Sequence, residues 1–274
     1  FPVNRWSMTI MQREVLWRDM LGTISHNLNR EFGQLYALWL REFKVFVRER
    51  SRLVASIFTP LLWLFVMGSG LGSTNPTNTG ANYQLFIFPG IICMSIIFTS
   101  VFFGSYIIWD RKFDFLKSVM VSPATRTTVF VGKTLGGMTN SLVQVAILIV
   151  VGYIIGIHFD PLSISQTIVI ALILSFTLTS VGLTFGSFIE SLEGFQLIVS
   201  FVVFPLFFLS GALFPISNLP GWLNILTQLN PATYAVDALR GVILGQGIHS
   251  FQTDTMVLLF FTFVLGILGI LSFR

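Results

Sequence analysis

The chain has 274 residues, 54% of them hydrophobic and only 10% charged, with 16 Lys or Arg against 12 Asp or Glu and a net charge of +4. A mean hydropathy of +0.81 and a stretch from residue 53 to 109 without one Lys, Arg, Asp or Glu exclude an ordinary water-soluble domain and identify an integral membrane protein. The 29 Phe fall mostly within apolar runs, a composition suited to lipid, and no nucleic-acid partner is expected.

Residues 1–52 form a charged N-terminal segment ahead of the first apolar run, so no cleavable signal peptide is expected. Within it, Phe32, Leu35, Tyr36, Trp39, Phe43 and Phe46 recur at three- and four-residue steps over residues 30–50, with Arg41, Lys44, Arg48 and Glu49 largely on the other side. This predicts an amphipathic helix at the membrane surface. It is expected to serve as a collar among anionic lipids, as an element that transmits force, or as both.

A bilayer core about 30 Å thick requires roughly 20 apolar residues of helix. Six segments meet that requirement: 53–72, 85–109, 138–157, 164–189, 195–214 and 255–273. They are continuous rather than alternating, which favours helices over barrel strands. The expected fold is an all-α membrane domain over 53–274 with six transmembrane helices. Basic residues near span ends are retained on the cytoplasmic side. With both termini inside, fifteen of the 16 Lys and Arg face the cytoplasm and only Arg240 lies outside. The expected location is the plasma (inner) membrane, multi-pass, with lipid as a partner.

Loop 110–133 reads DRKFDFLKSVMVSPATRTTVFVGK, a pattern for a short amphipathic helix ending before Pro123. Either it docks into a groove on a partner protein, or it is a basic loop held by lipid headgroups. In the fourth span and the third, Asn140, Ser141, Gln144, Ser175, Thr177, Thr179, Ser180 and Thr184 suit interhelical hydrogen bonds. The pairs Gly152/Gly156 and Gly182/Gly186 suit close helix packing. Pro60 and Pro205 are expected to kink the first and fifth spans. Between spans five and six, residues 222–229 and 232–244 are too short to cross and too apolar for water, so a re-entrant helix pair is predicted within the external region 215–254. There Asp237 and Arg240 stand three apart and can pair across one turn. That pair, with Tyr234, marks either an exit vestibule or a headgroup-level salt bridge.

Several chemistries are not expected. Residues 131–134 spell VGKT, but Thr127 stands where a phosphate loop needs its first glycine. The three His are far apart and the single Cys93 lies in an apolar run, so no zinc cluster and no intrachain disulfide are expected. With neither a nucleophile elbow nor a carboxylate pair at mid-membrane, a membrane enzyme or ion-coupled carrier is disfavoured.

The order of these pieces resembles the membrane subunits of ATP-binding-cassette exporters of the second type (ABC-2), above all the branch of daunorubicin-resistance and nodulation-factor export permeases. The resemblance runs from about Leu35 onward. It is carried by Phe88-Pro89-Gly90; by Val121-Ser122-Pro123 with Arg126 and Gly132-Lys133; and by Leu213-Phe214-Pro215-Ile216 leading through Leu219-Pro220 to Leu229-Asn230-Pro231, Tyr234, Asp237, Arg240 and Gly241. Lys112-Phe113-Asp114-Phe115 stands where the family has an acidic residue and glycine. The resemblance implies a permease acting as a homodimer with two ABC ATPase subunits, which would bind ATP and Mg, while this chain holds no cofactor and is no enzyme by itself. It further implies a coupling helix presenting Asp110, Arg111, Phe113, Phe115, Leu116, Pro123 and Arg126 to those ATPases. An external pair with Asn230, Pro231, Tyr234, Asp237 and Arg240 would lid the exit, and the second and fifth spans of two protomers would part to pass substrate outward. A Phe-rich, charge-poor path suits amphiphiles such as drugs, lipids or lipid-linked glycans. The alternative is a scaffold or sensor subunit that binds an ATPase without transporting.

Overall fold

The computed structural model describes residues 30–74, 80–114, 125–214 and 220–273, and these are helical with no strand among them. Helix α1 covers residues 30–48. It is followed by α2 (Arg50–Thr74), α3 (Gly80–Phe102), α4 (Ser105–Lys112), α5 (Arg126–Ile155), α6 (Pro161–Phe188), α7 (Leu192–Phe208), α8 (Gly221–Gln228), α9 (Pro231–Leu244) and α10 (Phe251–Ser272). The starts are written locally: the side chains of Thr125, Ser191, Asn230 and Ser250 each accept a backbone N–H of the helix they open, and Pro161 and Pro231 occupy first-turn positions that need no donor.

Among the described residues, four stretches are long and apolar enough to cross a membrane: Tyr83–Lys112, Arg126–Ile155, Pro161–Phe188 and Phe251–Ser272. Val54–Gly70 and Leu192–Phe208 are shorter apolar helices. The fifth expected span therefore ends at Phe208 and not at 214. Helix α5 begins at Arg126, so the last residues of the expected loop are its first two turns. At about 1.5 Å per residue, the 30 residues of α5 reach roughly 45 Å, well beyond a 30 Å hydrocarbon core.

Successive long helices alternate in direction. The end of α4, the start of α5 and the ends of α6 and α10 gather at one end of the bundle, as the contacts of Arg111 and Arg126 show. The end of α7 and the whole of α9 lie at the other. Helix α3 runs through the middle, packed on α2, α5, α6, α7 and α9, and Ile87, Phe88, Ile91, Ile92, Ile96 and Ile97 on it are completely buried. Lipid is as apolar as these side chains, so leaving water does not hold such helices together; close packing and hydrogen bonds do. Accordingly α3 and α4 meet α6 backbone to backbone: a Cβ at Gly104 would fall 1.9 Å from the Gly182 carbonyl oxygen, and one at Gly186 would fall 2.3 Å from that of Gly104. The Gly182/Gly186 pair is thus a contact surface, as expected. Gly156 is not part of one; it ends α5 with φ of 98° and open space around it. Polar side chains stitch the same bundle, with Ser95 and Thr99 donating to Gln144 Oε1 at 2.6 and 2.7 Å, and hydroxyl pairs sharing hydrogen bonds between Ser100 and Ser141 at 2.8 Å and between Thr177 and Thr262 at 2.7 Å. The outer faces are apolar, with Phe201, Met256, Phe260 and Phe263 exposed.

Candidate functional site

The inward face of α1 carries Leu35, Leu38, Glu42 and Phe46, the first three of which lie against α5, while Phe32 and Tyr36 point away. Gly132 and Gly136 make that approach possible, because a Cβ on either would strike Leu38 or Glu42 at 2.9 or 2.5 Å. Trp39 donates to Thr139 Oγ1 at 2.9 Å. The docking buries an ionic cluster. Lys133 Nζ donates to Glu42 at 3.0 Å and to Asp110, while Arg41 donates to Glu42 at 2.6 Å and to Asp110 at 2.7 Å. The side chains of Lys133 and Glu42 are 1% and 2% exposed. Two cations matched to two carboxylates make a neutral quartet, the arrangement that permits charges to be buried at all. Burial alone would lower the pKa of Arg41, yet the hydrogen bond to Asp110 and the charges of Glu42 and Asp110 raise it above its ordinary value.

This quartet joins α1, α4 and α5 at the mouth of the expected coupling loop. Arg111 adds α6, donating to the carbonyls of Ser187, Ile189 and Gly186 at 2.8, 3.3 and 3.5 Å. A cation at a helix C-terminus satisfies carbonyls left without intrahelical partners. On the far side of the loop, Arg126 donates to the Phe273 carbonyl at 3.2 Å. Tyr106 donates to Glu49 at 2.7 Å. Between these anchors Phe113 is 71% exposed, stacked on Trp109 at 5.6 Å, and Asp114 turns the chain with φ of 56°. Phe115, Leu116 and Pro123 lie outside the described residues. Of the coupling residues named from sequence, Asp110, Arg111 and Arg126 therefore spend their side chains on the bundle, and Phe113 faces outward. Glu42 and Lys133 went unnoticed as site residues. Their signal was a charge of each sign set among apolar neighbours at helical positions.

At the opposite end α9 is a buried helix, with Ala232, Ala235, Val236, Ala238 and Leu239 almost fully enclosed. Its polar side chains complete the early end of α7. Asn230 donates to the Leu206 carbonyl at 2.7 Å and accepts from Ala232 N at 2.9 Å, Thr233 donates to Leu209 O at 3.2 Å, and Arg240 donates to Gly211 O at 2.9 Å. Arg240 also lies over the Phe86 ring, 4.1 Å from its centroid. Asp237 instead accepts from the backbone N–H groups of Ile248 and His249, both at 2.8 Å. The expected Asp237–Arg240 bond is therefore not made, because each side chain finds backbone partners in another segment. Tyr234 donates to Gln228 O at 3.0 Å, and Pro231 opens α9. Helix α8 leaves Trp222 and Ile225 exposed.

Between these ends a cleft of about 320 Å³ opens among α2, α3 and α5. Met94, Phe98 and Phe102 give it an apolar wall, and Asn140 and Gln144 a polar one. The side-chain amide of Gln144 lines this cleft and is held by the hydroxyls of Ser95 and Thr99. Its Nε2 and the Asn140 Oδ1 remain buried without partners.

Comparison with known proteins agrees with this architecture. The family model of the ABC-2 type transporter matches residues 33–244, from the collar helix to the end of α9. The chain is 32% identical to ycf38 of Porphyra purpurea, described as a transport permease, over 86% of this chain and 81% of that protein. It is 29% identical to the inner membrane transport permease YadH of Escherichia coli K12 over 77% of this chain and 83% of that one. It is 23% identical to nodulation protein J of Rhizobium meliloti over 76% and 80%. A family match over most of the length, on a bundle of apolar helices, leads to one conclusion: the chain belongs to the ABC-2 type transporter family, as a multi-pass membrane permease.

Proposed function

We propose that this chain is the membrane half of an ATP-driven exporter that moves an amphiphile out of the cytoplasm or the inner leaflet. It crosses the inner membrane six times with both termini cytoplasmic, pairs with a second copy of itself, and binds two ABC ATPase subunits that hold ATP and Mg. The observation that carries this reading is the buried quartet of Arg41, Glu42, Asp110 and Lys133. It makes a rigid knot where loop 110–126 leaves the bundle, so a push on that loop reaches α1 and α5 through Lys133 and α6 through Arg111. A loop held only by lipid headgroups has no need of such a knot.

The cleft among α2, α3 and α5 supports an amphiphilic substrate, since Asn140 and Gln144 line it beside apolar walls. The gap between short α7 and the bilayer width, filled by α8 and α9, supports an external re-entrant pair. The test is co-purification with a soluble ABC ATPase, followed by ATP hydrolysis in lipid nanodiscs. The account expects stimulation by hydrophobic drugs or lipids. A complex that forms yet neither hydrolyses in response to any amphiphile nor moves one across vesicles would establish the scaffold reading.

A further inference from the structure

We propose that Asp237, His249 and Asp254 bind one divalent transition-metal cation of the zinc class at the connection between α9 and α10. The residue that calls for an explanation is Asp254, on the first turn of α10. It is fully buried, and neither of its carboxylate oxygens accepts a hydrogen bond. A bare carboxylate in such surroundings is costly unless a cation or a proton neutralises it.

The fold brings two metal-binding side chains to it. His249 Nδ1 lies 3.8 Å from Asp254 Oδ1 and 2.9 Å from Asp237 Oδ2, and the three ligand atoms all fall within 4.8 Å of one another. A tetrahedral ion with bonds of about 2.1 Å spaces neighbouring ligands roughly 3.4 Å apart, between the two separations observed. Asp237 is already oriented by the N–H groups of Ile248 and His249, the kind of outer support that fixes a ligating carboxylate. Each of its oxygens retains acceptor capacity.

Arg240 is the cation on α9. Its guanidinium donates to the Gly211 carbonyl and lies over the Phe86 ring, and among the described residues it forms no ion pair within 4 Å with either carboxylate. One imidazole with two carboxylates suits zinc or its neighbours; calcium, which takes six to eight oxygens, would be undersupplied. The His249 side chain is 48% exposed and borders a cavity of about 290 Å³ shared with Gln166, Gly241 and Gly245, which gives an ion a way in. The sequence expectation of no zinc site weighed His and Cys alone. Here the carboxylates come from α9 and α10 and the imidazole from the turn between them, so a bound ion would staple that turn.

The test uses the full chain in lipid nanodiscs, stripped with chelator and titrated with Zn²⁺ by calorimetry. The wild type should bind one equivalent and gain thermal stability. Asp254→Asn and His249→Gln should each weaken binding by about tenfold or more, while His158→Gln, at an exposed histidine outside the three proposed ligands, should leave it unchanged. His249→Gln lies in a half-exposed turn and keeps the test open if Asp254→Asn impairs folding. Absence of stoichiometric binding by the wild type, as for a merely protonated Asp254, would overturn the proposal. Binding that survives both substitutions would do the same.

Discussion

Lys133 and Asp110 are 23 residues apart in sequence, on two different helices, and form a buried ion pair across the base of the loop that separates them. The pair closes that loop from the membrane side, and Glu42 and Arg41 lock the collar helix onto it. Replacing Lys133 by Met would leave two carboxylates buried with Arg41 alone. The expected cost is about 3–5 kcal/mol, read as a marked drop in thermal stability in detergent. Adding Glu42→Gln should recover part of the loss, and equal stability of the single and double variants would remove the quartet from the account.

The helix contact at Gly182 gives a second expectation. A Cβ there would fall 2.3 Å from the backbone oxygen of Val101, and neither backbone can yield without separating α3 from α6. Gly182→Ala should therefore abolish the folded protein. Gly156→Ala meets no neighbour and carries only the cost of a left-handed conformation, about 1–2 kcal/mol. Size-exclusion profiles and melting curves of the two variants would test this ordering.

Asn230 fastens α9 to α7 by one donated and one accepted bond. Asn230→Ala removes a helix cap and leaves a buried carbonyl without its donor, a loss of about 1–3 kcal/mol. Proteolysis in nanodiscs should become faster near residues 208–231. Unchanged protection would mean that α9 is held by packing alone.

The apolar helices were readable, four of them long enough to span among the described residues, because apolar runs of that length admit few alternatives, and the Gly182/Gly186 spacing anticipated a real contact. What sequence could not supply was every feature made by residues far apart. Arg41 and Asp110 are 69 positions apart, and Lys133 and Glu42 are 91 apart, so local sequence marks the single charges but not their pairing. Local spacing even misled at Asp237 and Arg240, where a permitted i,i+3 pair lost to backbone groups of neighbouring segments. The fifth span was drawn too long for a related reason. The apolar run continues past Phe208, but the helix stops where Asn230 donates to the Leu206 carbonyl and Thr233 to that of the cap residue Leu209.

The docking role of the loop can be tested with charge. Phe113 already stands exposed at its start, and Phe115→Asp with Leu116→Asp would add two carboxylates to the segment proposed to dock. The double variant should lose the ATPase on affinity purification while inserting into the membrane normally. Retention of the ATPase at wild-type stoichiometry would exclude the loop from the interface.

Sidedness underlies the whole reading and can be measured directly. A cysteine placed at Lys117 can be probed in intact cells with a membrane-impermeant maleimide, against a low background because the one native thiol, Cys93, is fully buried. The account predicts no labelling at 117 until the cells are opened, and prompt labelling of a control cysteine at Asn78. Labelling of position 117 from outside intact cells would contradict it.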